Sequence, residues 1–203
     1  MTSTQDMTSI QDMTSIQDDL CASSVLAQSL ASDKAMLQAI EAVVELCVGS
    51  LKAGGKILFA GNGGSAADAQ HMAGEFVSRF NYDRPGLAAL ALTVDSSILT
   101  AIANDYAYDY VFARQIEALG HEGDVLFAYS TSGNSPNILR ALDAAKGKKM
   151  TSVGLTGNRG GAMNSQCDYL LAMPSAHTPR IQEGHLMVGH AICAAVEARI
   201  FPR

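Results

Sequence analysis

From Lys56 onward the chain alternates short, almost uninterrupted apolar runs with longer stretches of helical periodicity. The runs are Lys56 to Ala60, Leu87 to Leu92, Val125 to Tyr129, Thr151 to Leu155 and Tyr169 to Met173. A strand that is apolar at nearly every position is buried on both faces, and strands alternating with helices build a parallel sheet with helices above and below it. The pattern predicts an α/β fold: a doubly wound parallel five-stranded sheet flanked by helices. Ahead of the sheet, Leu20, Val25, Leu26 and Leu30 suggest a helix from Asp18 to Ala31. A stronger helix follows Ser32 as N-cap, carrying Met36, Leu37, Ile40, Val43, Val44, Cys47 and Leu51 until Gly54 and Gly55 end it.

The chain opens with MTSTQD, MTSIQD, MTSIQD, a six-residue repeat with too little apolar surface to offset the entropy of ordering it. Residues 1–18 are therefore expected to form a low-complexity tail, frayed or at most extending the first helix, and residues 19–203 one domain.

In an open parallel sheet, ligands sit beyond the carboxyl ends of the strands. The loop after the first strand reads Gly61-Asn62-Gly63-Gly64-Ser65, and its glycines let backbone amides approach an anion at the start of a helix near Ala66. This loop also satisfies GxGxxA, but the second strand ends in Leu92-Thr93-Val94 with no acidic residue for a ribose, which argues against a dinucleotide. The loop after the third strand reads Ser130-Thr131-Ser132-Gly133-Asn134-Ser135-Pro136, four hydroxyls ahead of a helix whose first turn holds Pro136. Hydroxyls at a helix N-terminus suit a phosphate dianion. The alternative is that Ser135 caps the helix and the other hydroxyls satisfy turn amides.

A formal charge of -6 and the lack of a Lys/Arg cluster exclude non-specific nucleic-acid binding, so a phosphate must be captured locally. Cys21, Cys47, Cys167 and Cys193 form no CxxC pair and read as buried free thiols. No apolar run reaches the length of about 20 residues that a bilayer requires, and no signal-peptide core is seen; a cytoplasmic location with no membrane contact is the expectation.

One further group carries chemistry. His71 and Glu75 stand four residues apart, on one face of the helix after the glycine loop. A helix starting around Arg180 carries Gln182, Glu183, His185 and His190 among apolar residues. Two imidazoles, a carboxylate and a carbonyl oxygen suit zinc. Periodicity ranks Glu183 above Gln182 as the partner of His190, and spacing alone leaves that choice open.

The runs GNGGSAADAQHMAGEFVSRF, RPGLAALAL, AIANDY, GDVLFAYSTSGNSPNIL, GLTGNRGG and RIQEGHLMVGH, in this order, closely resemble the bacterial phosphoheptose isomerases of the sugar isomerase (SIS) fold. The resemblance spans about Asp18 to Phe201. It implies zinc held by His71, Glu75, Gln182 and His190, with Gln182 in place of Glu183. It implies sugar-phosphate contacts from Asn62, Gly63 and Gly64, from Asn104 and Asp105, and from Ser130, Thr131, Ser132 and Ser135, with Ser65, Glu75, Arg79 and Gln182 as further contacts. Pro179 stands where related enzymes can carry an Asp ahead of RIQE, so an auxiliary acid there is not implied.

The resemblance further implies a homotetramer whose sites draw on more than one subunit, which would bridge ligand helices far apart in sequence. The implied reaction converts sedoheptulose 7-phosphate to D-glycero-D-manno-heptose 7-phosphate through an enediol, the first step of heptose synthesis for lipopolysaccharide or capsule. Glu75 would be the base and His190 the acid on the opposite side. The rival from another class is a non-catalytic SIS-fold protein associating with the replication initiator DnaA; such a protein departs at the catalytic positions, whereas Glu75 and His190 are both present here. A sugar-phosphate-sensing regulatory domain would usually carry a DNA-binding module, and none is seen.

Overall fold

The computed structural model describes the backbone of residues 4–203 and the side chains from residue 15 onward. Among the described residues the strands are β1 (Ile57–Ala60), β2 (Ala89–Ala91), β3 (Val125–Tyr129), β4 (Thr151–Thr156) and β5 (Tyr169–Ala172). The helices are α1 (Thr4–Ser32), α2 (Lys34–Lys52), α3 (Gly64–Val77), α4 (Ser96–Asp105), α5 (Ala113–Leu119), α6 (Pro136–Gly147) and α7 (Thr178–Ile200). All strand pairs are parallel and the order is β2-β1-β3-β4-β5. The expected doubly wound five-stranded sheet is therefore the fold.

Alternation along β1 explains the unbroken apolar runs. Ile57 and Phe59 join a core built with α1, α2, α3 and α7, while Leu58 and Ala60 join a second core with Phe112, Ile116, Ile138 and Leu142 from the α5 and α6 side. Every position of β1 and β3 is buried.

Three boundaries differ from the sequence reading. Asp33, not Ser32, caps α2, because its carboxylate accepts from Ala35 N and Met36 N at 2.9 and 3.0 Å, while the Ser32 hydroxyl donates back to Gln28 O and closes α1. The second strand is shorter than Leu87 to Leu92, since Leu87 N–H donates to Phe76 O at the end of α3 and not to β1. Lys56 precedes β1 because its N–H donates to the Asp124 carboxylate. The repeat, from Thr4 on, continues α1 as helical backbone; residues 1–3 and the side chains before residue 15 lie outside the described residues. Of the four thiols, Cys47 and Cys193 are buried as expected, whereas Cys21 is exposed on α1.

One polar contact deep in the fold controls how α3 meets α7. Arg84 donates to Phe76 O and Glu75 O at 2.7 and 2.8 Å, satisfying carbonyls that the last turn of α3 leaves open. Its Nε also donates to Glu197 of α7 at 3.0 Å, with both side chains almost wholly buried. Glu197 accepts in addition from Phe80 N–H and Asn81 N–H at 2.8 and 2.7 Å. Burial alone would raise its pKa, yet these N–H donors and the Arg84 guanidinium hold it below the ordinary carboxylate value.

His185, fully buried on α7, faces Thr156 O at 3.3 Å through Nε2. Burial pushes its pKa down to about 4, against an ordinary value of 6.5.

Glu197→Ala would leave the Arg84 charge buried without its partner, and is expected to cost about 3–5 kcal/mol in urea unfolding. His185 generates a second expectation. Between pH 6.5 and 4 the native state holds fewer protons on this group than the unfolded chain, so stability falls as pH drops through that window. The fall in melting temperature from pH 7.5 to 4.5 should accordingly be smaller in His185→Asn than in the unsubstituted protein, by differential scanning fluorimetry.

Candidate active site

The strand order turns around between β1 and β3: β2 lies to one side of β1, and β3, β4 and β5 follow on the other. At that switch point the two loops singled out in the sequence stand side by side, which is where ligands enter such sheets. Their contact is specific. Asn62 Nδ2 donates to Asn137 Oδ1 at 2.9 Å and Asn137 Nδ2 donates back to Asn62 Oδ1 at 2.8 Å, a reciprocal amide pair between the β1 loop and the first turn of α6. Tyr108, in a short 3-10 turn after α4, adds a hydroxyl donor to Asn62 Oδ1 at 3.1 Å.

Helices α3, α6 and α7 follow β1, β3 and β5, so their N-termini all lie at the carboxyl edge. None of the three has a side-chain cap, in contrast to α2 and α4, which Asp33 and Asp95 cap. Ser135 occupies the N-cap position of α6 but turns its hydroxyl to Ser130 Oγ at 2.8 Å, so no side chain caps a first turn in which Pro136 has no N–H and Ile138 N–H donates to Ser135 O. Only one hydroxyl of the loop serves a turn amide, where Ser132 Oγ accepts from Asn134 N–H at 3.2 Å. Helix N-termini without side-chain caps beside clustered hydroxyls are features that suit an anion and require neither a lysine nor a metal.

Helices α3 and α7 run parallel along one seam. At its start, a Cβ added to Gly64 would lie 2.5 Å from Gln182 Nε2; farther along, a Cβ on Gly189 would lie 2.5 Å from Met72 Sδ. Between these levels and the Arg84–Glu197 pair, His71, Glu75 and His190 bring one donor atom each to within 4.8 Å of one another. His190 Nε2 lies 3.0 Å from His71 Nε2, which in turn lies 3.1 Å from Glu75 Oε1. In a tetrahedral zinc site with bonds near 2.05 Å, donors stand about 3.3 Å apart. The two-imidazole, one-carboxylate set fits such an ion. The helices far apart in sequence are thus neighbours in one chain, and this cluster needs no second subunit. Glu75 and His190 stand together in it.

A SIS domain matches residues 22–157 of the chain. The phosphoheptose isomerase of Burkholderia pseudomallei is 62% identical over 180 residues, covering 89% of this chain and 91% of that protein. That of Aneurinibacillus thermoaerophilus is 56% identical over 174 residues, covering 86% and 88%. The chain belongs to the phosphoheptose isomerase family. The fold agrees with solved structures of that family: the Neisseria gonorrhoeae enzyme superposes with a TM-score of 0.84 at 42% identity, covering 91% of this chain and 98% of its own. The Francisella tularensis enzyme gives 0.87 at 36% identity, covering 91% and 97%.

Against this family pattern the remaining expected site residues fall into place unevenly. Asn62, Gly63, Gly64 and the buried Ser65 form the start of α3, beside Ser130, Thr131, Ser132 and Ser135. Asn104 and Asp105 end α4, exposed, with Asn104 Nδ2 donating to Asp105 Oδ1 at 2.9 Å. Gln182 faces α3 at Gly64, whereas the Glu183 carboxylate accepts from Arg180 at 2.5 Å. Pro179 occupies the first turn of α7, a position where a missing N–H costs nothing. Arg79 lies past the end of α3, roughly 20 Å along the helix from Gly64 at 1.5 Å per residue, away from the loops of its own chain.

Sequence reasoning missed Asn137, Tyr108, Arg84 and Glu197. Asn137 follows Pro136 in the hydroxyl loop and could have been flagged; the others acquire their roles only from tertiary contacts. Asn137→Leu would strand the Asn62 amide. The expected result is a several-fold rise in KM for the sugar phosphate and a loss of about 1–3 kcal/mol of stability, checked by steady-state kinetics and urea unfolding.

Proposed function

We propose that this chain isomerises sedoheptulose 7-phosphate to D-glycero-D-manno-heptose 7-phosphate, with the phosphate at the hydroxyl loop and the reacting carbons near Glu75 and His190. The observation that carries this reading is the α3–α7 seam. Its start lies at the uncapped, hydroxyl-rich anion site, and seven residues along α3, roughly 10 Å, stands the cluster of His71, Glu75 and His190. An extended open-chain heptose phosphate can occupy both ends at once.

The chemistry is proton transfer between adjacent carbons. Glu75 takes the proton from C1 while His190 protonates the C2 carbonyl oxygen, giving the enediol. Glu75 then returns a proton to C2 and His190 accepts the O1 proton, which leaves the aldehyde at C1 and restores both groups. Asn62, held by Asn137 and Tyr108, fixes the β1 loop against the phosphate loop so that the substrate has one register. Zinc held by His71, Glu75, His190 and Gln182 would supply Lewis acidity at the substrate oxygens.

The family reading extends to assembly and setting. A homotetramer is supported by apolar surface that one chain leaves open: α4 has no buried residue, and Ile98, Tyr106 and Leu119 beside it are exposed, as are Ile16, Leu20 and Val25 on α1. No helix of the described residues is long and apolar enough to cross a membrane, in keeping with a cytoplasmic enzyme. Its product would feed the heptose of a lipopolysaccharide core or a capsule.

Purified protein should convert sedoheptulose 7-phosphate to the aldose. Glu75→Gln, which keeps size and polarity at the helix surface, should lower kcat by about a hundredfold or more with an unchanged melting temperature. Turnover by the variant at the unsubstituted rate would remove Glu75 from the role of base.

A further inference from the structure

The anion site just described has hydroxyls and helix N–H groups but no cation among the residues expected from the family, since Arg79 stands at the far end of α3. A cation reaches the hydroxyl loop from its other side. Arg159 lies in the turn after β4, and that turn is fastened to the loop at several points. Gly157 N–H donates to Thr131 O at 3.1 Å and Met163 N–H to Gly133 O at 3.1 Å, while Ala162 N–H donates to the Asn134 side chain at 2.9 Å. Asn158 N–H donates to Ser175 O at 2.9 Å, tying the same turn to the segment that leads into α7. The approach is close enough that a Cβ on Gly133, whose φ is +67°, would lie 2.0 Å from Gly160 O. Arg159 is thus held at a fixed distance from the hydroxyl loop by residues on both sides of it.

Arg159 lines a cavity of about 320 Å³ together with Thr131, Ser132, Asn158, Ser175 and Thr178. The uncapped start of α7 opens into the same space. No carboxylate lines the cavity, and Arg159 is exposed, with no ion pair among the described residues. An arginine on a cavity that also holds hydroxyl residues, with no carboxylate in its lining, suits a phosphate monoester, which a guanidinium can hold through two N–H···O bonds.

We propose that Arg159 is a further substrate-contacting residue, holding the phosphate of the sugar phosphate from the β4 side of the hydroxyl loop. This rests on the isomerase reading above. The test compares Arg159→Gln and Arg159→Lys with the unsubstituted protein in steady-state kinetics, with inorganic phosphate as competitive inhibitor.

The expected result for Arg159→Gln is a KM raised about tenfold or more, a kcat within about twofold, and inhibition by phosphate weakened by a similar factor. Arg159→Lys should recover part of both, and the melting temperatures should agree. An unchanged KM and unchanged phosphate inhibition in Arg159→Gln would overturn the proposal. So would equal KM increases in both variants accompanied by a lowered melting temperature, which is the signature of a structural role. If the unsubstituted protein fails to turn over the heptose phosphate, the isomerase reading falls. Calorimetric binding of inorganic phosphate then decides for Arg159: weaker binding in Arg159→Gln upholds it, and equal binding overturns it.

Discussion

The site depends on two helices lying parallel and in contact, and a buried ion pair fixes how they do so. Arg84 closes the carbonyl end of α3 and holds Glu197 of α7, while Glu197 also gathers the backbone N–H groups of the turn that follows α3. Such a pair is not expected to add much net stability, because desolvation of both ions offsets their attraction. It adds definition: a charge with that many partners has one arrangement. With the far end of the seam fixed, Gly189 admits Met72 and Gly64 admits Gln182, so the helix surfaces meet closely enough for His71 and Glu75 to face His190.

The electrostatics are local. A chain with a formal charge of -6 has no long-range attraction for a phosphate dianion. Capture would therefore fall to local groups: the N-termini of α3, α6 and α7 that no side chain caps, the hydroxyls of the β3 loop and, on the proposal above, the guanidinium after β4. The starts of α2 and α4 carry an Asp cap, whereas those of α3, α6 and α7, like that of α5, carry no side-chain cap. Omitting a cap costs about 1 kcal/mol of helix stability. At α3, α6 and α7 that cost falls where a ligand anion can take the place of the cap.

Much of this was legible in the sequence, for identifiable reasons. The β strands read as unbroken apolar runs because helices cover both faces, and the two loops stood out because glycine and hydroxyl residues seldom cluster between a strand and a helix without a purpose. His71 and Glu75 announced themselves by helical spacing. Other features were hidden because they exist only between elements distant in the chain. Nothing local marks Arg84 as the partner of Glu197, or Asn137 as the mate of Asn62. Spacing favoured Glu183 over Gln182, and the contact of Arg180 with the Glu183 carboxylate is not marked by spacing. His71 and His190 lie far apart in the sequence, and only the packing of α3 on α7 brings them together within one chain.

The central claim is that groups on this seam move a proton between adjacent carbons of a heptose phosphate. Incubating the zinc-loaded protein with sedoheptulose 7-phosphate in heavy water and following the sugar by NMR tests it directly. Conversion to the aldose with solvent deuterium entering at C2 is the predicted result. Aldose formed with no solvent deuterium at C2, or no conversion by folded protein shown to bind the sugar phosphate, would contradict it.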